Sequence, residues 1–87
     1  MKNNIQVLIY SSSLCGYCYQ AKMLLKKKNI SFNEIDVDED YNNRKEMIAK
    51  SNGRTSVPQI FFGDTHIGGC DDLFNLEKKG KLEVVNE

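Results

Sequence analysis

Close to the N-terminus runs Ile5-Gln6-Val7-Leu8-Ile9-Tyr10, apolar at nearly every position and rich in β-favouring residues. A strand whose apolar residues alternate can leave one face in water, whereas an uninterrupted apolar run must be covered on both faces. The rest of the chain therefore has to supply a layer on each side of this strand. With 87 residues it has little material for the purpose. A chain this short buries only about 60% of the surface its unfolded form exposes. One domain spanning residues 1–87, with one modest core, is the expectation, and any function must sit on the fold's own surface.

The covering layers are legible further on. Ser11-Ser12-Ser13 breaks the apolar run, and from about Gly16 to Lys28 the residues Tyr17, Ala21, Leu24 and Leu25 recur at helical spacing. Lysines gather at the C-terminal end of that segment, where cations complement the helix dipole, and Asn29 follows as the closing residue. Phe32–Val37 reads as a second strand. Tyr41–Lys50 reads as a helix with Tyr41, Arg44 and Ile48 on one side, and Asn43 with Glu46 fits a capping box. Ser51-Asn52-Gly53 closes it. Gln59–Phe62 and Thr65–Ile67, joined by Gly63-Asp64, form a hairpin, and Asp71–Lys79 forms a last helix ending at Gly80. The order β-α-β-α-β-β-α places parallel strands about the first crossover and an antiparallel edge at the hairpin. The tail Lys81–Glu87 carries no clear pattern.

Charge and composition exclude several functions. Twelve basic and twelve acidic residues give a formal net charge of zero, without the basic surplus of a nucleic-acid-binding domain. Lys22, Lys26, Lys27 and Lys28 precede Glu34, Asp36, Asp38, Glu39 and Asp40, a pattern that reads as two solvated faces. No apolar run approaches the ~18 residues of a membrane span. The N-terminus leads straight into strand-like sequence, without the apolar stretch of a signal peptide. Three cysteines, an odd number with two of them close together, suit an intracellular, cytoplasmic thiol protein better than a disulfide scaffold.

Two of those thiols carry the sharpest signal. Cys15-Gly16-Tyr17-Cys18 lies where the first strand gives way to the first helix. Backbone N–H groups at a helix start lack intrahelical partners, and the positive end of the dipole lies there. A thiolate at such a point is stabilised. The gain in thiolate is offset by weaker intrinsic nucleophilicity, and what survives is better leaving-group ability. Cys18 falls one turn later on the Ala21–Leu25 side, so it is expected to be less exposed and to react second. Lys22, another turn on, either adds positive potential to the pair or is simply a solvated lysine. Zinc is the rival reading. Cys15, Cys18, His66 and Cys70 supply four ligands arithmetically, but a structural zinc normally shows a second close pair, and the strand–Cys-x-x-Cys–helix context favours redox chemistry.

Two further segments stand out. Thr55-Ser56-Val57-Pro58 holds the only proline, which reads either as a strand start or as a cis turn presenting the Val57 backbone to an extended peptide. Gly68-Gly69-Cys70-Asp71-Asp72 sets two glycines before a helix N-terminus, a natural carboxylate site. Asp71 and Asp72 also read simply as cap and dipole partners.

Taken together, Tyr10-Ser11-Ser12-Ser13-Leu14-Cys15-Gly16-Tyr17-Cys18, Gly53–Phe61 and Ile67–Leu73 resemble the glutaredoxins, in the short bacterial dithiol form, over nearly the whole chain. The resemblance implies an α/β, thioredoxin-like fold: a central four-stranded mixed sheet flanked by three helices, with Pro58 cis. It also implies a monomeric enzyme that takes glutathione as reductant, acts on disulfide-containing or glutathionylated proteins, and has no nucleic-acid or membrane partner. By position, Cys15 is the attacking thiol and Cys18 the resolving thiol. Tyr17, Ser56, Val57 and Pro58 line a glutathione groove, with Val57 pairing its backbone to the cysteinyl residue. Gly69, Cys70 and Asp71 receive the γ-glutamyl end, and Lys45 or neighbouring Arg44 meets the glycine carboxylate. Gly16 replaces a proline common in the family and Ser12 a lysine. The first change is compatible with a glutathione-ligated [2Fe–2S] cluster shared by two chains, and the second removes an anion contact. A redoxin fed by thioredoxin reductase is the remaining alternative.

Overall fold

A computed structural model of the chain describes residues 5–82. Seven elements follow one another: β1 (Val7–Ser11), α1 (Gly16–Lys27), β2 (Asn33–Asp36), α2 (Tyr41–Lys50), β3 (Gln59–Phe62), β4 (Thr65–Gly68) and α3 (Cys70–Lys78). The strands form one sheet in the order β2-β1-β3-β4, with β1 parallel to β2 and antiparallel to β3, and β3 antiparallel to β4. This is the thioredoxin-like arrangement anticipated above. The first strand begins two residues later than expected, and Ile5 lies outside it, exposed.

The apolar run does separate two packed layers. Val7 and Ile9 of β1, with Ile60 of β3, pack against Ala21, Leu24 and Leu25 of α1 and Leu73 of α3. On the opposite face Tyr10 and Phe61 pack with Val37 and Met47, and the half-buried Leu8, Ile35 and Ile48 join them. Two helices thus cover one face and α2 alone covers the other. Successive strand residues point to opposite faces, so a run apolar at both parities serves both layers.

Helix ends are closed by the backbone. After α1, Asn29 (φ +61) donates its N–H to Lys26 O at 3.0 Å and Ile30 donates to Leu25 O at 2.9 Å. This is a Schellman closure, with Ile30 and Leu25 both in the core beside it. Asn29 is the first residue beyond the cap, and Lys28 occupies the cap itself. α3 ends the same way, through Gly80 N–H to Glu77 O and Lys81 N–H to Leu76 O, both 3.0 Å. At the start of α2 the expected Asn43–Glu46 box is corrected. Asp40, extended at φ −148, is the N-cap and accepts from Asn42 N–H at 2.9 Å. Asn43 already lies within the helix and donates to Asp36 O at 3.0 Å, while Glu46 accepts from the Tyr10 hydroxyl at 3.0 Å.

Candidate active site

The first turn of α1 is built around Cys15. It is the N-cap, in extended conformation (φ −142), and its Sγ accepts the Cys18 N–H at 3.1 Å. A sulfur thus stands where serine or aspartate oxygen usually satisfies a free helix donor. The Cys15 thiol also lies 3.8 Å from the carbonyl oxygen of Val57, so the proline loop reaches over the same sulfur. Cys15 is half-buried and Cys18 is 1% exposed. Burial pushes the Cys18 thiol up to about 12, with the neighbouring Cys15 sulfur adding to the effect and the Ser12 backbone and Lys22 opposing it. Lys22 Nζ is 2.8 Å from Glu34 Oε2 on β2, so its charge is shared with a carboxylate.

Next to Val57, whose carbonyl meets the Cys15 thiol, lies a groove of about 430 Å³ lined by Tyr17, Arg54, Ser56, Val57, Pro58 and Gly69–Asp72. Three segments far apart in sequence meet there: the start of α1, the loop before β3, and the start of α3. The Val57–Pro58 peptide bond is cis. Gly68 (φ +121) turns the chain from β4 into α3, and a β-carbon there would fall 2.1 Å from Asp72 Oδ2. Asp72 accepts the Gly69 N–H at 2.9 Å and so closes the α3 N-terminus. Its carboxylate lies 3.8 Å from the Arg54 guanidinium. Cys70, the first residue of α3, is buried, and burial, followed by the charge of Asp71, pushes its thiol up.

Eight of the expected residues therefore stand together: Cys15 at the groove, with Tyr17, Ser56, Val57, Pro58, Gly69, Cys70 and Asp71 in its lining. Cys18 lies just beneath. Lys45 does not line the groove; its ammonium sits 5.7 Å over the Tyr41 ring on α2. Arg44 is held 3.0 Å from Asp38, whose other oxygen accepts from the Ser12 hydroxyl. The cation in the lining is Arg54, which sequence reasoning left unassigned, although its place three residues before Val57 could have suggested it. Asp72, a cap or dipole partner by sequence, both caps the helix and faces Arg54.

The zinc set is not assembled. His66 Nε2 lies 2.7 Å from Gln59 Oε1 and its ring stacks on Phe61 at 4.8 Å. Among the described residues no group of three or more His, Cys, Asp or Glu side chains is placed to hold a metal ion. An iron–sulfur cluster fits only in part, since of the pair Cys15 and Cys18 only the first is accessible, Cys18 being 1% exposed. Among the described residues no helix is long and apolar enough to cross a membrane.

A thiol-capped helix start beside a proline loop, on a four-stranded mixed sheet, is the arrangement of the thioredoxin-like thiol–disulfide oxidoreductases. The glutaredoxin family model matches residues 7–67, and the chain belongs to that family. It is 50% identical over 82 residues to glutaredoxin 1 of Rickettsia prowazekii, covering 93% of this chain and 86% of that protein. The solution structure of a glutaredoxin from Brucella melitensis superposes with a TM-score of 0.81 at 43% identity, covering 98% of this chain and 96% of that one. A buckwheat glutaredoxin–glutathione complex superposes with a TM-score of 0.83 at 27% identity, covering 97% and 79% respectively.

Proposed function

We propose that this protein is a glutathione-dependent dithiol oxidoreductase, working in the cytoplasm on protein disulfides and glutathionylated proteins. The observation that carries the reading is the position of the Cys15 sulfur: it accepts an N–H at a helix start and lies 3.8 Å from the carbonyl of Val57, a residue of the groove lining. Cys15 thiolate attacks one sulfur of the substrate disulfide. The S–S bond breaks, the second sulfur leaves as thiolate, and a mixed disulfide remains on Cys15. Glutathione thiolate then attacks that disulfide, or Cys18 does after losing its proton. On the glutathione route Cys15 departs as thiolate, into the N–H and helix-dipole field that favours a leaving anion. On the Cys18 route the attack falls on the Cys15 sulfur and the substrate sulfur departs as thiolate. Glutathione then opens the Cys15–Cys18 disulfide, releasing first Cys18 and, at the second glutathione, Cys15. Two glutathione molecules supply the two electrons of a full cycle and end as glutathione disulfide.

Glutathione suits the lining. Arg54 offers its charge to the glycine carboxylate, the role first expected of Lys45. The N-terminus of α3 offers N–H groups to the γ-glutamyl carboxylate, and Asp71 offers its carboxylate to the ammonium beside it. Buckwheat glutaredoxin, of similar fold, forms a complex with glutathione. The test uses two variants. Cys15→Ser is expected to abolish turnover with every substrate. Cys18→Ser is expected to keep at least half the activity on a glutathione mixed disulfide and to lose reduction of a protein disulfide. Full activity of Cys15→Ser would overturn the assignment, and turnover with thioredoxin reductase in place of glutathione would favour the other redoxin class.

Gly16 motivates a second reading. An added Cβ there meets nothing within 4 Å, so the first turn of α1 is open on that side. Cys15 of two chains and two glutathione thiolates would complete the four ligands of a shared [2Fe–2S] cluster. Anaerobic reconstitution with glutathione decides it: a coloured dimer supports the cluster, and a colourless monomer removes it.

A further inference from the structure

Beneath the groove floor Gln59 is fully buried, at 0% exposure, and both ends of its carboxamide are engaged. Its Nε2 donates to the Ser56 carbonyl oxygen at 3.0 Å and lies 3.3 Å from Ser56 Oγ. Its Oε1 lies 2.7 Å from His66 Nε2. A carboxamide oxygen only accepts, so His66 carries its ring hydrogen on Nε2 and donates it. The imidazole is stacked on Phe61, and burial and then the charge of Arg54 hold its pKa below the usual value, with Asp72 opposing.

We propose that Gln59 and His66 are positioning residues that aim the Val57 N–H into the groove, where it donates to the backbone of the glutathione cysteinyl residue. This role rests on the glutathione reading above and on the planarity of one peptide unit. The Ser56–Val57 bond is not the cis one. In a trans peptide the C=O and the following N–H point in opposite directions in one plane. Gln59 pulls the Ser56 oxygen inward, so the Val57 N–H is left facing outward. Without that donor the peptide unit can rotate, and the N–H loses its heading. His66 fixes the sense of the grip. A flipped carboxamide would set oxygen against oxygen at Ser56, and the Nε2–H of His66 bonds only the orientation in which the amide hydrogens face the loop. The two groups thus pass a direction from β4, through β3, to a loop that touches the reacting sulfur.

Amide hydrogen exchange at Val57 tests this in protein carrying glutathione on Cys15, with Cys18→Ser to prevent resolution. Glutathionylation is expected to slow Val57 exchange at least tenfold. Gln59→Met, which fills the space without a donor, is expected to bring that protection within twofold of the unmodified protein and to raise KM for glutathione about tenfold. Alkylation of Cys15 by iodoacetamide should stay within twofold. His66→Phe, which keeps the stack on Phe61, should lose most of the protection as well. If Gln59→Met does not fold, Gln59→Leu, of similar volume and likewise without a donor, should behave alike. Protection that survives these variants overturns the proposal alone. Absence of protection in the glutathionylated parent overturns the glutathione reading of the groove, and the proposal with it.

Discussion

Gly68 sits at the corner where β4 becomes α3, with φ +121 and Asp72 packed against the place a β-carbon would take. Alanine there would have to adopt a backbone region that L-residues enter at a cost of about 1–2 kcal/mol. It would also push Asp72 off the Gly69 N–H, and losing a cap costs a further ~0.5–2 kcal/mol. Gly68→Ala should therefore destabilise the protein by about 2–4 kcal/mol, and thermal denaturation should show Tm falling by roughly 10 °C or more. The paired glycines were visible as a demand for close approach, but which of the two carried it was not, because the contact partner lies four residues on. The cation of the groove shows the same limit. From the chain alone Lys45 or Arg44 is the expected cation, and nothing local beyond its nearness to Val57 singles out Arg54. Only the packing reveals that Lys45 lies over Tyr41 and Arg54 beside Asp72.

At the level of elements, type and order were readable because each pattern was local. The apolar run at both parities gave a doubly covered strand, and the 3.6-residue recurrence of Ala21, Leu24 and Leu25 gave α1. The start of α2 was not readable. Asp38, Asp40, Asn42 and Asn43 are all competent caps within six positions. What selects Asp40 is the path of the chain leaving β2, with Asp36 Oδ1 accepting the Asp38 N–H at 2.8 Å and Asn43 tied to Asp36 O. Asp40→Ala should lower stability by about 1 kcal/mol in urea denaturation, and Asp40→Asn, an equivalent cap, should recover it. An equal loss from Asn would mean that the charge rather than the cap was at work. The partner of Lys22 was likewise hidden, since Glu34 reaches it from a neighbouring strand twelve positions away.

For the molecule as a whole, two buried groups set an alkaline limit. Tyr10 is raised from 10.0 to about 12, chiefly by burial and then by its bond to Glu46, and Cys18 is raised from 9.0 to about 12. Both are neutral when protonated and hold their proton more tightly folded than unfolded. Their contribution is complete below pH 9 and is lost as pH climbs from 9 to 12. Denaturation midpoints should be level approaching pH 9 and fall beyond it, and Tyr10→Phe should flatten the part above pH 10. The two faces of the sheet are also unequal, with α1 and α3 sharing the larger apolar layer while α2 clings to the smaller by Met47 and its neighbours. Arg54 follows directly from α2, its carbonyl taken by the Ser51 hydroxyl at 3.1 Å. The sulfur is thus rooted in the larger slab, while the positive charge that would greet an anionic visitor is strung between the two, its carbonyl held at the end of α2 and its guanidinium facing Asp72 at the start of α3.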